Sequence, residues 1–80
     1  DGFDFSFGLT TPNYLEAQLN KIMVKVSRQV IAVADSSKFN RKSLCLITKP
    51  DSIDVVITDN NLSSDNVANL NEIGIELILV

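Results

Sequence analysis

Three runs of apolar residues predict three strands of a sheet. The run at residues 30–34 is unbroken and rich in β-branched residues, which is typical of a strand buried on both faces of a parallel sheet. The runs at residues 53–58 and 75–80 have the same character and predict two further strands. A shorter run at residues 44–47 predicts a short extended piece. Residues 1–12 contain three Phe, two Gly and two Asp. Because their apolar residues do not recur with a helical period, we expect a loop.

An amphipathic helix is predicted ahead of the first of these strands. Asn13 and Glu16 have the spacing of a capping box, whereas Thr and Pro at residues 11–12 offer a rival start with Pro in the first turn. The helix is therefore expected to begin within two residues of Thr11 and to end near residues 27–28. Its apolar stripe recurs at i, i+4, i+7 and i+11. The stripe consists of Leu15, Leu19, Ile22 and Val26.

A second helix is predicted between the second and third strands. Ser63 serves as its N-cap, and Leu62 and Val67 have the spacing of a hydrophobic staple. Gly74 suits the left-handed position that follows the last helical turn. The signals at the two ends agree, so both boundaries of this helix are predicted.

The order of these elements predicts the fold class. Strands separated by helices or long loops cannot form hairpins, so we expect an α/β fold with a mostly parallel sheet, flanking helices and right-handed crossovers. A parallel sheet needs cover on both faces. Two helices are thin cover for three such strands, which suggests that a partner segment lies outside these 80 residues.

Composition and charge restrict the classes of function that this chain can have. Seven Lys and Arg against ten Asp and Glu give a net charge of −3, the wrong sign for a surface that neutralises the phosphates of DNA. No apolar run approaches the roughly 18 residues of a membrane helix, and the chain starts at Asp1 without a signal peptide, so we expect a soluble, cytoplasmic segment excised from a longer protein. Cys45 is the single cysteine and there is no His. No disulfide and no Cys/His site is therefore expected, and Cys45 is interpreted as a small buried apolar residue.

The strongest candidate site follows the first strand, because ligands of open α/β sheets bind beyond the carboxyl ends of the strands. Lys38, with Arg41 and Lys42 close behind it, gives three cations in five residues, which could hold a phosphate or form a solvated charge cluster. Asp35 could orient Lys38 or accept sugar hydroxyls, or it could cap the turn at residues 36–37. The spacing does not decide between these alternatives.

Three weaker candidates lie elsewhere. Asp1 and Asp4 flank a glycine, and paired carboxylates can do acid–base work or grip polyol hydroxyls. Asp59 ends the next strand, where we favour a turn-forming role. Thr10 and Thr11 precede the first helix, where an anion could bind, although a simple capping role is favoured there.

Four stretches together resemble the C-terminal, effector-sensing domain of the DeoR family of bacterial transcriptional repressors, which control sugar-utilisation operons. The match runs in register over nearly the whole chain. The stretches are Asp-Gly-Phe-Asp at residues 1–4, Gly-Leu-Thr-Thr-Pro-Asn at residues 8–13 with Glu16, Ala17 and Met23 downstream, Ala-Asp-Ser-Ser-Lys-Phe at residues 34–39, and Ile-Asp-Val-Val-Ile-Thr-Asp at residues 53–59.

This resemblance implies a Rossmann-type fold shared with ribose-5-phosphate isomerase, glucosamine-6-phosphate deaminase and CoA transferases. It also implies that the ligand is a phosphorylated sugar or amino sugar. Carried over by position, Asp1 and Asp4 would face sugar hydroxyls. Lys38, oriented by Asp35, would meet a phosphate or an anomeric oxygen, and Glu16 would be a further residue of the cleft.

The resemblance also predicts what the chain lacks. Residues 1–80 would be the C-terminal portion of a sugar-phosphate sensing domain, without the winged helix-turn-helix and the first half of the sensor that such repressors carry. The sequences at residues 8–13 and 41–45 are most similar to those of repressors of amino-sugar operons, such as the operons for N-acetylgalactosamine.

We therefore expect a non-catalytic sensing segment with no cofactor and no membrane contact. It would reach operator DNA only through the N-terminal domain, and the full-length protein would be a homo-oligomer. Two alternatives stay open. The first is a fragment of an isomerase or deaminase of the same fold, in which Asp1 or Asp4 is the base. The second is a dimerisation module that associates through apolar strand edges or helix faces.

Overall fold

Residues 2–80, the part of the chain that the computed structural model describes, form two three-stranded sheets and two helices. The strands are β1 (Gly2–Asp4), β2 (Gly8–Thr11), β3 (Ile31–Val33), β4 (Cys45–Thr48), β5 (Val55–Thr58) and β6 (Glu76–Leu79), and the helices are α1 (Tyr14–Val26) and α2 (Ser64–Ile73). Two short 3-10 turns cover Ser36–Lys38 and Pro50–Ser52.

The first sheet is antiparallel, in the order β1-β2-β4, and it overturns the expectation of a loop at residues 1–12. The carboxylate of Asp4 accepts hydrogen bonds from the backbone N–H groups of Ser6 and Phe7 at 2.9 and 2.7 Å, which closes the turn between β1 and β2. Gly8 starts β2 at φ = +114°, a backbone angle that other residues rarely adopt. The local pattern missed this hairpin because its strands have only three and four residues.

The second sheet is parallel, in the order β3-β5-β6. The predicted α/β class is confirmed, but the prediction of a mostly parallel sheet is not, since only these three strands are parallel. β5 lies in the centre, with Val55 and Val56 buried. β3 is an edge strand whose Ile31 and Val33 are 50% and 72% exposed, so the prediction that it is buried on both faces is wrong.

The helix ends follow the predicted capping signals. Asn13 Oδ1 accepts the backbone N–H of Glu16 at 2.8 Å, and Ser63 Oγ accepts that of Asn66 at 3.2 Å. Gly74 ends α2 at φ = +93° and donates its N–H to the carbonyl of Leu70 at 3.1 Å. These bonds satisfy backbone groups that a helix end otherwise leaves unpaired.

The core joins the two sheets under α2. Leu70 is fully buried and belongs to the same apolar cluster as Val56 of β5 and Phe3 of β1. Phe3 pairs with Phe39 as an isolated bridge and their rings meet edge-on, 5.4 Å apart. Cys45 is only half-buried, because β4 lies at the rim of the antiparallel sheet.

The apolar stripe of α1 faces away from the rest of the described chain. α1 contacts β2 and β4 and buries Ala17, whereas the stripe residues are 59–78% exposed. The period predicted the helix correctly, but it did not reveal what covers its apolar face. Within residues 2–80, neither helix has the length and apolar character that crossing a bilayer requires.

Candidate ligand-binding site

A cleft of about 350 Å³ lies between the carboxyl end of β3 and the antiparallel sheet. Its polar lining comes from the two strongest sequence candidates and from one threonine of β2. Its apolar lining comes from both sheets. The lining residues are Gly2, Phe3, Leu9, Thr10, Val33, Ala34, Asp35, Lys38 and Ile47.

Asp35 builds the turn that positions Lys38. Its Oδ1 accepts the backbone N–H of Ser37 at 3.0 Å and also the Ser37 hydroxyl, as the N-cap of the 3-10 turn. These bonds, first the one from the hydroxyl, lower the pKa of Asp35, and the charge of Lys38 acts in the same direction. Asp35 is therefore a carboxylate at neutral pH. The turn-capping alternative is confirmed, whereas the role of Asp35 toward Lys38 or sugar hydroxyls stays a prediction, made for a residue that lines the same cleft as Lys38.

Asp59 ties the ends of two parallel strands together. Its Oδ2 accepts the backbone N–H of Ser36 at 2.8 Å, and its Oδ1 accepts that of Asn61 at 2.9 Å. The bond from Ser36 is the largest cause of a lowered pKa at Asp59. The predicted turn-forming role is confirmed. The link to Ser36, 23 residues away in sequence, had no signal in the local pattern.

Thr10 supports the cleft from the other side. It is 1% exposed, its hydroxyl donates to the carbonyl of Gly2 at 3.2 Å, and it accepts the backbone N–H of Ser43 at 2.8 Å. The threonine therefore binds three segments of backbone together. Thr11 accepts the N–H of Asn13 at 3.4 Å, which agrees with a simple capping role at the start of α1.

The remaining site candidates do not line this cleft. Asp4 closes the hairpin turn, and Glu16 is exposed in the first turn of α1. Lys42 lies with Nζ 4.9 Å from the centre of the Phe7 ring, and the backbone of Arg41 donates to Phe3 at 3.2 Å. Of the three cations in the predicted cluster, only Lys38 lines the cleft. Asp1 lies outside the described residues.

Metal binding has no support within the described part of the chain, where no group of three or more Asp, Glu or Cys side chains lies close enough to hold an ion. The cleft instead offers one ammonium group, one carboxylate and apolar walls. Such a combination can bind a small ligand that carries both hydroxyls and an anionic group.

The two sheets and the cleft between them define an α/β domain with a polar edge beyond a parallel strand. The sequence pattern of the DeoR C terminal sensor domain matches residues 1–60, and the chain belongs to that family. The resemblance noted from the four motifs is thereby confirmed.

Three relatives place the chain among bacterial and archaeal regulators. It is 42% identical to a protein described as an aga operon transcriptional repressor of Escherichia coli O157:H7, over 100% of this chain and 30% of that protein. It is 35% identical to the HTH-type transcriptional regulator GlpR of Haloferax volcanii, over 98% of this chain and 31% of that protein. It is 35% identical to the transcriptional repressor AccR of Agrobacterium fabrum, over 65% of this chain and 20% of that protein. The chain thus spans less than a third of the length of each of these relatives.

Proposed function

We propose that this chain is the C-terminal part of a sensor domain that binds a phosphorylated sugar or amino sugar and controls an attached DNA-binding repressor domain. The observation that carries the proposal is that Lys38 and Asp35 line the same cleft at the end of a parallel strand. Both residues lie within the part of the chain that matches the sensor family. The names of the relatives, which are regulators and repressors, support the attached DNA-binding domain.

In this proposal the ammonium group of Lys38 binds the phosphate. Asp35 holds the turn that carries Lys38. An ammonium group binds phosphate as a point charge, and bonds to ionised groups are stronger than neutral ones. Asp35 fixes the turn through Ser37, so the backbone that carries Lys38 is already ordered before the ligand binds. Asp1, Asp4 and Glu16 stay proposed contacts to the sugar, and this part of the proposal rests on the family match alone.

Binding would regulate the repressor by differential affinity. A ligand shifts a conformational equilibrium only by as much as it binds one state better than the other. The turn that carries Lys38 is bonded to Asp59 at the end of β5, so a ligand at Lys38 acts on two neighbouring strand ends. We propose that the complete protein is a cytoplasmic homo-oligomer whose operator affinity changes through this route.

Calorimetric titration of the full-length protein tests the proposal. The titrants are a panel of aldose, ketose and amino-sugar phosphates, the same sugars without phosphate, and inorganic phosphate. We expect saturable binding of at least one sugar phosphate, little binding of its unphosphorylated form, and a changed affinity for operator DNA when that ligand is present. Equal binding with and without the phosphate would contradict a phosphate site in this cleft.

The same mixtures distinguish the enzyme alternative. Product analysis by NMR after incubation would reveal isomerisation or deamination, which needs a positioned base. We expect unchanged ligand, because the relatives named above are regulators. Turnover at a rate well above that of a sample without protein would favour the isomerase or deaminase and overturn the sensor.

A further inference from the structure

β6 is an edge strand of the parallel sheet, and within the described residues its only neighbour is β5. The backbone N–H groups of Glu76 and Val80 donate to carbonyls at the two ends of the β5 segment, at 3.0 and 2.9 Å. Successive peptide groups of a strand face opposite sides. The N–H and C=O groups of the alternate residues, Leu77 and Leu79, therefore face the open edge, where another strand could pair.

The open edge of β6 is apolar and lacks the features that usually protect an edge strand. Ile78, Leu79 and Val80 are 40%, 46% and 78% exposed. β6 contains no Lys and no Pro, and its register with β5 has no bulge, although such features normally prevent an edge from pairing with another chain. The only charge on this strand is Glu76, at its amino end. The edge is therefore suited to the addition of another strand.

The hydrogen-bonding groups of this edge are complementary to those of a second copy. Leu77 and Leu79 lie one residue on either side of Ile78. An antiparallel pair centred on Ile78 therefore places Leu77 of each copy opposite Leu79 of the other. Opposite residues of this kind exchange both of their backbone hydrogen bonds. All the outward-facing groups of β6 would be paired in this register.

The position of Glu76 also favours an antiparallel second copy. In the register centred on Ile78, the two Glu76 residues lie on opposite sides of the two-fold axis, about 14 Å apart along the strands at about 3.4 Å per residue. This separation exceeds the Debye length of about 8 Å at physiological ionic strength. A parallel pair in register would instead place the two carboxylates on neighbouring strands about 5 Å apart, where like charges repel each other.

The helix α2 would extend the contact beyond the two strands. α2 contacts β6, and Leu70 of α2 belongs to the apolar cluster that contains Val56 of β5 and packs against Leu77 of β6. α2 therefore covers both strands. With neighbouring strands about 4.8 Å apart, the two α2 helices would lie about 10 Å apart across the axis, and helices pack at about 8–10 Å. This helix contact adds area to an interface that should bury about 1,000 Å² or more.

We propose that β6 pairs in the antiparallel direction with β6 of a second copy of this chain, so that the parallel sheets of two subunits form one continuous sheet. The inference rests on the proposed function in one respect, namely that the complete protein is a homo-oligomer, and it names the surface that associates. Residues 61–80, which contain β6, lie beyond the part of the chain that matches the sensor family. The pair is closed, because each edge covers the other. The turn that carries Lys38 follows β3, on the far side of β5, so the ligand cleft stays open.

Disulfide cross-linking of the full-length protein tests the pairing and its register. Cys45→Ser, with any cysteine outside residues 1–80 also replaced by Ser, provides a background without native thiols. Ile78→Cys in this background would place two thiols on directly opposite residues, with Cα atoms about 4.5 Å apart, a separation that a disulfide can span. Val80→Cys is the matched control. Val80 is more exposed than Ile78, but the two copies of it would lie about 14 Å apart, too far for a disulfide.

We expect mild oxidation to link Ile78→Cys subunits at least about tenfold faster than Val80→Cys subunits at the same protein concentration. Thermal unfolding of the reduced variants verifies that both are folded. Equal rates would indicate random collisions between exposed thiols. An Ile78→Cys protein that is folded and stays unlinked would show that the two edges do not meet. Either result would overturn the proposal.

Amide hydrogen exchange of the unmodified full-length protein, followed by NMR, is a second test that needs no variant. The Val80 amide, which is bonded to Thr58, is the internal control for an intact β5–β6 pair. We expect the amides of Leu77 and Leu79 to exchange at least about a hundredfold more slowly than in an unstructured peptide, as the Val80 amide does. Fast exchange at Leu77 and Leu79 with a protected Val80 would overturn the proposal.

The two tests together distinguish a second copy from another segment of the same chain. Protected amides at Leu77 and Leu79 without cross-linking at Ile78 would assign the edge of β6 to a segment of the same subunit, and the proposal would be wrong. Contacts between β6 strands in a mixture of isotope-labelled and unlabelled protein would support it. No sugar phosphate is added in these experiments, so failure of the ligand proposal would leave their results unaffected.

Discussion

Asp59, which directly follows β5, accepts a hydrogen bond of 2.8 Å from the backbone N–H of Ser36, which lies in the turn after β3. The same carboxylate holds its own turn through Asn61 at 2.9 Å. One side chain therefore ties the ends of two adjacent parallel strands together. Because Ser36 begins the turn that ends at Lys38, Asp59 helps to position the cation of the candidate site without lining the cleft itself.

The link through Asp59 should make stability depend on pH. Its folded-state pKa is lowered from the usual 3.8, so its contribution is fully present above that value and is lost as the pH falls through the lower, folded pKa. We expect Asp59→Asn to be less stable than the wild type at neutral pH, with the difference shrinking in strongly acidic solution. Urea unfolding at both pH values measures it. The control is Glu72→Gln, an exposed substitution in α2, which should change stability by less than about 0.5 kcal/mol. An Asp59→Asn deficit that is the same at both pH values would argue against the carboxylate as its source.

Lys38 should matter for sugar-phosphate binding more than the neighbouring cations. Removing a bond to a charged ligand group costs about 1.5–3 kcal/mol, so Lys38→Ala in the full-length protein should weaken binding about tenfold or more. Lys42→Ala is the matched control, because Lys42 lies over the ring of Phe7 instead of in the cleft. Calorimetry with the same sugar phosphate measures both. Equal losses for the two variants would indicate general electrostatic attraction, and an unchanged Lys38→Ala would remove Lys38 from the site.

The helices could be predicted because their signals are local. Asn13 and Ser63 act on N–H groups three residues away, and Gly74 acts on the turn just before it. The antiparallel sheet has a local signal only at the turn that Asp4 closes. Its strand β2 pairs with β4, which lies more than 30 residues further along the chain, and the decision between hairpin and loop depends on that pairing.

The residues of the candidate site are likewise predictable where their signals are local. Asp35 and Lys38 are predictable because a strand followed by a turn places them at the carboxyl edge of a sheet. At Thr10 the sequence predicts only an anion site or a cap, since the hydrogen bonds of this residue to Gly2 and Ser43 span 8 and 33 residues. The apolar stripe of α1 shows the same limit: a period reveals that a face is apolar, while its cover depends on segments that the period does not describe.

Leu70 should be the most sensitive position of the core. It is 0% exposed and lies where α2 meets the cluster that joins both sheets. Leu70→Ala should destabilise the protein by about 2–5 kcal/mol through lost burial and the cavity it leaves. Leu44→Ala removes the same atoms from a side chain that is 87% exposed, and it should cost less than about 0.5 kcal/mol. Chemical unfolding compares the two, and similar losses would be inconsistent with the described packing around Leu70.

Substitutions at Gly8 and Gly74 should distinguish the cost of backbone strain from the cost of a steric collision. Both have positive φ, +114° and +93°, but a Cβ at Gly8 would lie 2.1 Å from the carbonyl oxygen of Thr48, whereas a Cβ at Gly74 would meet nothing within 4 Å. Gly74→Ala should therefore cost only the strain of the left-handed region, about 1–2 kcal/mol. Gly8→Ala should cost about 3 kcal/mol or more, because strain is joined by a collision with the backbone of β4 that must push β2 and β4 apart. Thermal and urea unfolding of both variants measure the difference. Since Gly8 lies between the hairpin turn and β2, equal costs would mean that β2 does not approach β4 as closely as described, and the antiparallel wall of the cleft would have to be placed elsewhere.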